Sequence, residues 1–487
     1  MNAQATPLFI REQEIKHHCF KLFLLGCGLF LFLQNYACAI PLFARQTGQN
    51  CVACHAGGQY PELTPYGRYF KLTGYTIGAR QDIPVSLQFV GGVATSTNGN
   101  NGTPQTQQSG RLEADNASVF VGGKIFDNFG AFSQWTYQWA NNPNPNNPVG
   151  PNNQGHFGAD NQDWRYADHY VADFSNPVND IIWGASLNNR PGITDVWNSV
   201  PAWNYPYMGS IRNSSTYGVP INVNLGSTQV PGYGGYIYLN KNFYAELMGY
   251  QSGGSGPLSF MTYGSTNSNP NSTPTYLKGI NPYLRLAYQS DEHGSHNWMV
   301  GVMAMNTNMY QNCIGSPSFA ASSGTCVTPG SPVLDGGSTM FQDRGVDAQY
   351  QYLTTSHAFT AQARFINEKI TDTAGVYSNS INTLNSFFAK ASYVYEATYG
   401  IGLGFQNVSG TSDQQAYGVV TPAGGSSAIP NSVAWIPSIW WQPIQNVKLN
   451  LQYTAFSQFQ GARTNYDGAG TNASANNATW LSLWVVM

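Results

Sequence analysis

The sequence predicts an all-β chain closed into an antiparallel barrel of sixteen strands, with a short segment of another kind before it. Three observations carry this reading. From about Val85 onward, apolar and polar residues alternate with period two, as half-buried strands require. Tight turns alternate along the chain with long Asn/Gly/Ser/Pro-rich connections. Charged residues make up only 9% of the chain while aromatics reach 14%, against about a quarter charged in ordinary soluble domains.

The strand pattern is clearest at Val447-Lys448-Leu449-Asn450-Leu451-Gln452-Tyr453-Thr454-Ala455, where one face is apolar and the other polar. Trp135, Tyr137 and Trp139 alternate with Gln134, Thr136 and Gln138, and Val85, Leu87 and Phe89 with Ser86 and Gln88. Tight turns are expected near Asp127-Asn128, Asn176-Pro177, Asn240-Lys241, Asp291 to Ser295, Thr354 to Ser356, Glu396 to Thr398 and Pro443 to Asn446. They define seven hairpins. Long loops are expected over Ala140 to Gln162, Arg190 to Gly232 and Asn306 to Thr339. An opening strand near 85–96 and a closing strand near 477–487 bring the total to sixteen. An even count, short turns at one end and long loops at the other describe a porin-like outer-membrane β-barrel. Closure leaves no strand edge with unpaired backbone groups facing lipid. A soluble sandwich of this length would carry more charge on its outer strands, and no fixed-period repeat supports a solenoid. The last strand ends Trp484-Val485-Val486-Met487 and lacks a terminal aromatic, though Leu481, Leu483, Val485 and Met487 still form an outward apolar face.

Ahead of the barrel, residues 1–39 read as a signal peptide. Arg11, Lys16 and Lys21 precede an apolar run from Leu22 to Leu33, and Ala37-Cys38-Ala39 follows as a small-x-small cleavage site. The run is too short to span a bilayer. A lipoprotein reading of Leu24-Leu25-Gly26-Cys27 is disfavoured because the apolar stretch continues past the cysteine. Residues 40–82 then form a separate segment, and 83–487 the barrel. A net charge of −3 gives no footprint for nucleic acid. Export brings oxidising conditions, so Cys313 and Cys326 are expected to close a loop by a disulfide; a metal site there would need further ligands.

The segment 40–82 contains Cys51-Val52-Ala53-Cys54-His55. This spacing attaches one haem c: two thiols add across the vinyl groups, and His55 ligates the iron axially. A zinc half-site would want a second Cys/His pair nearby, and a redox Cys-x-x-Cys a βαβ context. A c-type cytochrome segment this short gains too little core alone, so it is expected at or inside the periplasmic mouth of the barrel, plugging the lumen. No second histidine and no methionine lies between Ile40 and Pro84. A sixth protein ligand would come from the barrel, with His293, His296, Met299, Met303 and Met305 as candidates; water or an amine is the alternative. Met299, Met303 and Met305 share one strand face, opposite Trp298, Val300, Val302 and Ala304. Arg68 and Lys71 are read either as haem propionate partners or as solvated charges.

The runs Phe43-Ala44-Arg45-Gln46-Thr47-Gly48, Cys51 to His55, and Pro61-Glu62-Leu63-Thr64-Pro65-Tyr66-Gly67-Arg68-Tyr69-Phe70-Lys71-Leu72 resemble the fused monohaem cytochrome–porins of iron-oxidising bacteria. The resemblance implies haem attachment at Cys51 and Cys54, axial ligation by His55, and oxidation of extracellular Fe(II) with delivery of electrons to a periplasmic cytochrome or copper protein. That would be a ferrous iron:cytochrome oxidoreductase lodged in outer-membrane lipid. Rival expectations are a conduit for a different donor or acceptor, or a diffusion porin with a cytochrome appendage.

Overall fold

A computed structural model describes residues 41–58, 62–96, 110, 112–138, 156–171, 180–199, 219–253, 257–262, 277–292, 294–310, 338–373, 375, 377–417 and 428–487. The expected signal peptide, the Asn176-Pro177 turn, His293, Cys313 and Cys326 lie outside them. Sixteen strands close into one antiparallel barrel in which each pairs with its neighbours in sequence and β1 (Val85–Ser96) pairs with β16 (Ala478–Val486). Between them run β2 (Leu112–Phe126), β3 (Phe129–Gln138), β4 (His156–Val171), β5 (Asp180–Asn188), β6 (Gly232–Leu239), β7 (Phe243–Tyr250), β8 (Asn281–Glu292) and β9 (His296–Tyr310). The second half comprises β10 (Ser338–Leu353), β11 (His357–Asp372), β12 (Ile381–Tyr395), β13 (Tyr399–Gly410), β14 (Ser432–Ile444) and β15 (Val447–Gln458).

The alternation expected from sequence sorts the side chains. On β9, Met299, Met303, Met305 and Met309 are buried in the interior, while Trp298, Val300 and Val302 face out. On β15, Leu451 and Tyr453 face out and Asn450, Gln452 and Thr454 face in. An apolar outer belt around a polar interior is the arrangement of a bacterial outer-membrane barrel. Aromatics such as Trp298, Tyr350, Tyr393, Tyr399 and Trp441 stand outward at the short-turn ends of their strands, where a periplasmic interface girdle belongs. In barrels of this kind the short turns are periplasmic and the long connections extracellular.

Several boundaries differ from the sequence expectation. β4 begins at His156, inside the stretch read as loop, and Pro443 and Ile444 belong to β14. β9 and β10 extend to Tyr310 and from Ser338, into the loop expected over Asn306 to Thr339. Beyond the lipid both faces of a strand are wet, so the period-two contrast vanishes while backbone pairing continues. The loop expected over Arg190 to Gly232 holds a helix, α4 (Ile221–Thr228). Its numbering follows three short helices before the barrel: α1 (Pro41–Thr47), α2 (Cys51–Cys54) and α3 (Pro65–Leu72).

Among the described residues, the lumen is crossed at three places. Residues Asn189–Ser199 leave β5 and fold inward, where Arg285 of β8 binds Asp195 at 3.0 Å and Asp347 of β10 at 2.8 Å. Gln362 of β11 donates to the Trp197 carbonyl at 2.9 Å, and the Trp197 indole donates to Gln289 of β8. α4 reaches from Glu368 of β11, which accepts from the Ile221 amide at 2.6 Å, to β4, where the Gln229 amide donates to the Ala159 carbonyl. The third insertion is the N-terminal segment. It touches β1 through Arg45 and Val85, β2 through Gln46 and Lys124, β4 through Tyr75 and Asp163, and β6 through Leu72 and Tyr236. It also touches β9 and β10 through Arg68 and β12 through Glu62. Contacts with so many strands around the ring make it a plug at the short-turn end.

Arg285 sits fully buried between two carboxylates and over the Trp197 ring at 5.6 Å. Replacing it by methionine leaves both acids uncompensated, and removing one partner of a buried ion set costs about 3–5 kcal/mol. Urea unfolding in lipid vesicles should show a loss of that size for R285M, together with increased single-channel conductance as the inserted loop is released.

Candidate haem-attachment site

One helical turn, α2, carries both thiols, and His55 follows as its C-cap in extended conformation, its amide donating to the Cys51 carbonyl at 2.9 Å. The chain then doubles back. Ala56 N donates to the Glu62 carbonyl and Thr64 N to the Cys54 carbonyl, each at 2.9 Å, so His55 and Leu63 are paired across a two-stranded bridge. Thr64 caps α3: its hydroxyl accepts from Gly67 N at 3.2 Å and donates to the Ala53 carbonyl, with Pro65 opening the helix. Ser/Thr caps and a proline in the first turn are the expected helix start. Gly67 is required by packing, since a Cβ there would lie 2.1 Å from the Cys54 carbonyl oxygen. Gly57 has φ +64 and its α-carbon presses on Val394, where a Cβ would fall 2.6 Å from the valine Cβ. The segment Leu63 to Arg68 thus exists to clamp the Cys-x-x-Cys-His turn from behind.

Neither Cys51 nor Cys54 is in a disulfide. Cys51 is 3% exposed and its thiol donates to Gln445 Oε1, in the β14–β15 turn, at 3.0 Å. Burial pushes the Cys54 thiol up to about 11, which keeps it protonated. Burial pulls His55 down to about 4, against the pull of the Glu62 carboxylate, so its ring is uncharged across the physiological range. A neutral imidazole is the form that ligates metal. Burial alone would raise Glu62, but Lys390 at 2.6 Å, helped by Lys448, holds it below its usual range.

Arg68 and Lys71, read from sequence as propionate partners or solvated charges, are neither exposed nor unengaged. Arg68 donates to the Leu63 carbonyl at 3.0 Å, Gln351 at 2.9 Å and Asn297 at 3.1 Å, with Asp291 at 3.4 Å. Lys71 donates to the Asp195 carbonyl at 2.7 Å and Asn198 at 3.3 Å; burial, with Arg165 beside it, brings it down to about 8. Both cations anchor the plug. Behind them Arg165 binds Asp163 at 2.8 Å, donates to the Lys71 carbonyl, and lies between the Tyr75 and Tyr236 rings.

The candidate sixth ligands are dispersed. His296 faces outward and pairs with the Tyr350 hydroxyl at 2.7 Å. Met299 packs with Leu72 and Trp197 in one cluster, whereas Met303 and Met305 belong to another with Ile221 and Leu225. Sequence reasoning passed over His169, at the periplasmic end of β4, which bonds Asp180 and meets Tyr69 edge-on at 6.3 Å. Its i,i+2 relation to the inward-facing Ala167 was the available signal.

The donor set fits a thioether-linked porphyrin: two thiols one turn apart, not bonded to each other, and an adjacent neutral imidazole. It does not fit zinc alone, because among the described residues no three His, Cys, Asp or Glu side chains converge as a metal site.

No family model matches the chain, and no curated protein does. Among solved structures it is similar to the OmpF porin of Salmonella typhi crystallised with daunomycin, at 11% identity and TM-score 0.44, covering 83% of this chain and 97% of that one. The outer-membrane channel DcaP of Acinetobacter baumannii (10% identity, TM-score 0.41, 83% and 96%) and the anion-selective porin of Comamonas acidovorans (10%, 0.39, 83% and 99%) are comparable. The barrel assignment rests on the strand pairing described above.

Glu62→Gln leaves Lys390 buried without its carboxylate, a loss of about 3–5 kcal/mol. Glu62's folded pKa lies below its ordinary value of 4.5, so its contribution is complete above that value and disappears as pH falls through the depressed one. Unfolding midpoints of wild type and E62Q should therefore differ at neutral pH and converge in strong acid.

Proposed function

We propose that this outer-membrane barrel carries one haem c on Cys51 and Cys54, takes single electrons from extracellular Fe(II), and passes them to a periplasmic cytochrome or copper protein. The observation that carries the proposal is the Cys-x-x-Cys-His turn, built on a dedicated clamp and anchored inside the lumen at the periplasmic end. The resemblance of residues 43–72 to cytochrome–porins supports the choice of donor and acceptor.

When bound, the haem supplies a one-electron centre, and no acid–base pair is needed beside it. The chain's own residues do the rest. Cys51 and Cys54 offer thiols on one turn, and His55 presents an uncharged ring nitrogen to the iron. Gly67 and Thr64 hold that turn against α3. Glu62 and Lys390 pair at the wall, with Lys448 close by, so the carboxylate that the plug carries to the barrel is met by cations there. Val52, between the cysteines, is 42% exposed, which leaves one edge of the turn open toward the periplasmic mouth for a partner's approach. Arg68, Lys71 and the inserted loop tie further chain across the lumen beside the turn, which obstructs solutes while leaving a route for an electron.

A diffusion porin with an appended cytochrome would need a continuous aqueous path. Three inserted segments tied to opposite walls argue against one.

Stopped-flow mixing of the matured protein with Fe(II) at acid pH should reduce the haem in a single phase. His55→Met, which changes the axial donor, should shift the haem spectrum and change the reduction rate by about tenfold or more. Haem that Fe(II) cannot reduce, while another reductant can, would favour the reading as a conduit for a different donor. Solute flux through the haem-loaded barrel would favour the porin reading.

A further inference from the structure

On the outer surface, the apolar belt stops at one level on five neighbouring strands. Reading outward-facing positions away from the short turns, β9 passes from Ala304 to Asn306, β10 from Val346 to Arg344, and β11 from Phe365 to Asn367. β12 passes from Phe387 to Asn385, and β13 from Phe405 to Asn407. The register makes these neighbours: Arg344 stands opposite Ala304 and Asn367, and Asn367 opposite Asn385. Asn367 donates to Asn385 at 2.8 Å, and Arg344 donates to Asn306 at 2.9 Å and to the Met305 and Asp343 carbonyls. This level is on the long-loop side, where outer-leaflet headgroups begin.

Two exposed cations stand at that level. Arg344 has used three of its five N–H donors, and Lys369, one outward position beyond Asn367, is exposed on β11. The acids of these strands, Asp343, Asp347, Glu368 and Asp372, all point into the barrel, so among the described residues of these strands no carboxylate stands outward beside the two cations. Immediately beneath, Ala304 leaves a furrow of about 450 Å³ walled by Leu284, Val302, Val346 and Phe365 and topped by Arg344 and Asn367. A cationic crown over an apolar slot, at the headgroup level, complements one kind of molecule: an anionic headgroup carrying hydrocarbon chains. A cation on the lipid face is costly deep in the bilayer and nearly neutral at the interface, where an anionic phosphate turns it to advantage.

We propose that this crown and furrow form a site for a phosphorylated outer-leaflet lipid, its phosphate seated between Arg344 and Lys369 and one acyl chain in the furrow below. The site depends on the barrel's orientation alone and stands whether or not the interior carries haem.

The test compares the full-length matured protein with R344Q/K369Q and with A304F, which fills the furrow and keeps both charges. Folding of each is checked by heat-modifiable migration. Titrations use purified lipopolysaccharide, with phosphatidylethanolamine as the zwitterionic comparison, and read bound lipid by native mass spectrometry. Wild type should prefer lipopolysaccharide by roughly thirtyfold, the combined effect of two cations beside an anionic headgroup. The double variant should lose that preference, and A304F should bind less lipopolysaccharide with its charges intact. If R344Q/K369Q does not fold, K369Q and A304F carry the comparison. Equal binding of both lipids by wild type, or an unchanged preference in the folded variants, would overturn the proposal.

Discussion

The structure depends on charge placed where water is scarce. Few residues in this chain are ionisable, yet many of those few sit inside the barrel in matched sets. Arg285 joins the inserted loop to two strands, Arg165 joins β4 to the plug, and Lys390 meets Glu62 across the plug–wall boundary. Such pairs gain little net stability over apolar packing of the same volume, but breaking one is costly. Their consequence is specificity. Each guanidinium requires its partners at fixed distances and angles, so the loop and the N-terminal segment have one seat in the lumen.

That constraint carries through to the proposed chemistry. An N-terminal segment of this size has too little surface to make an independent core. Here the missing core is the barrel interior: Leu72 joins Trp197, Tyr236 and Met299 in one cluster, and Leu42 joins Phe120 in another. The Cys-x-x-Cys-His turn therefore needs no domain of its own. It is held by α3 from behind and by the β14–β15 turn at Gln445, at the end of the barrel where a periplasmic partner would meet it. The proposed redox centre, placed in an obstructed lumen, would separate electron passage from solute passage, which would suit a donor whose oxidised product is insoluble.

The barrel was legible because lipid imposes a sharp contrast across every strand: Leu451 out and Gln452 in, Val302 out and Met303 in. The turns were legible because Asn240-Lys241 and Glu396 to Thr398 interrupt that contrast at the right spacing. The lumen insertions were not. Asn189–Ser199 and α4 carry the same Asn, Gly and Thr residues as an exposed loop, and nothing local distinguishes a loop bonded to Arg285 from one bonded to water. The burial and lumen partners of Arg68 and Lys71 were illegible for a related reason. Their partners, Asn297, Gln351 and Asn198, are more than a hundred residues away, so neither sequence proximity nor periodicity could reveal them. The Cys-x-x-Cys-His turn was legible as one unit because it lies within five consecutive residues, Cys51 to His55.

The central claim is that one porphyrin is thioether-linked on the turn held in this lumen. Peptide mapping by mass spectrometry of the protein matured in a host able to attach haem c tests it most directly. The account predicts a single haem mass on the peptide bearing Cys51 and Cys54, retained through acid–acetone extraction. An unmodified peptide, or a porphyrin that leaves with the solvent, would contradict it.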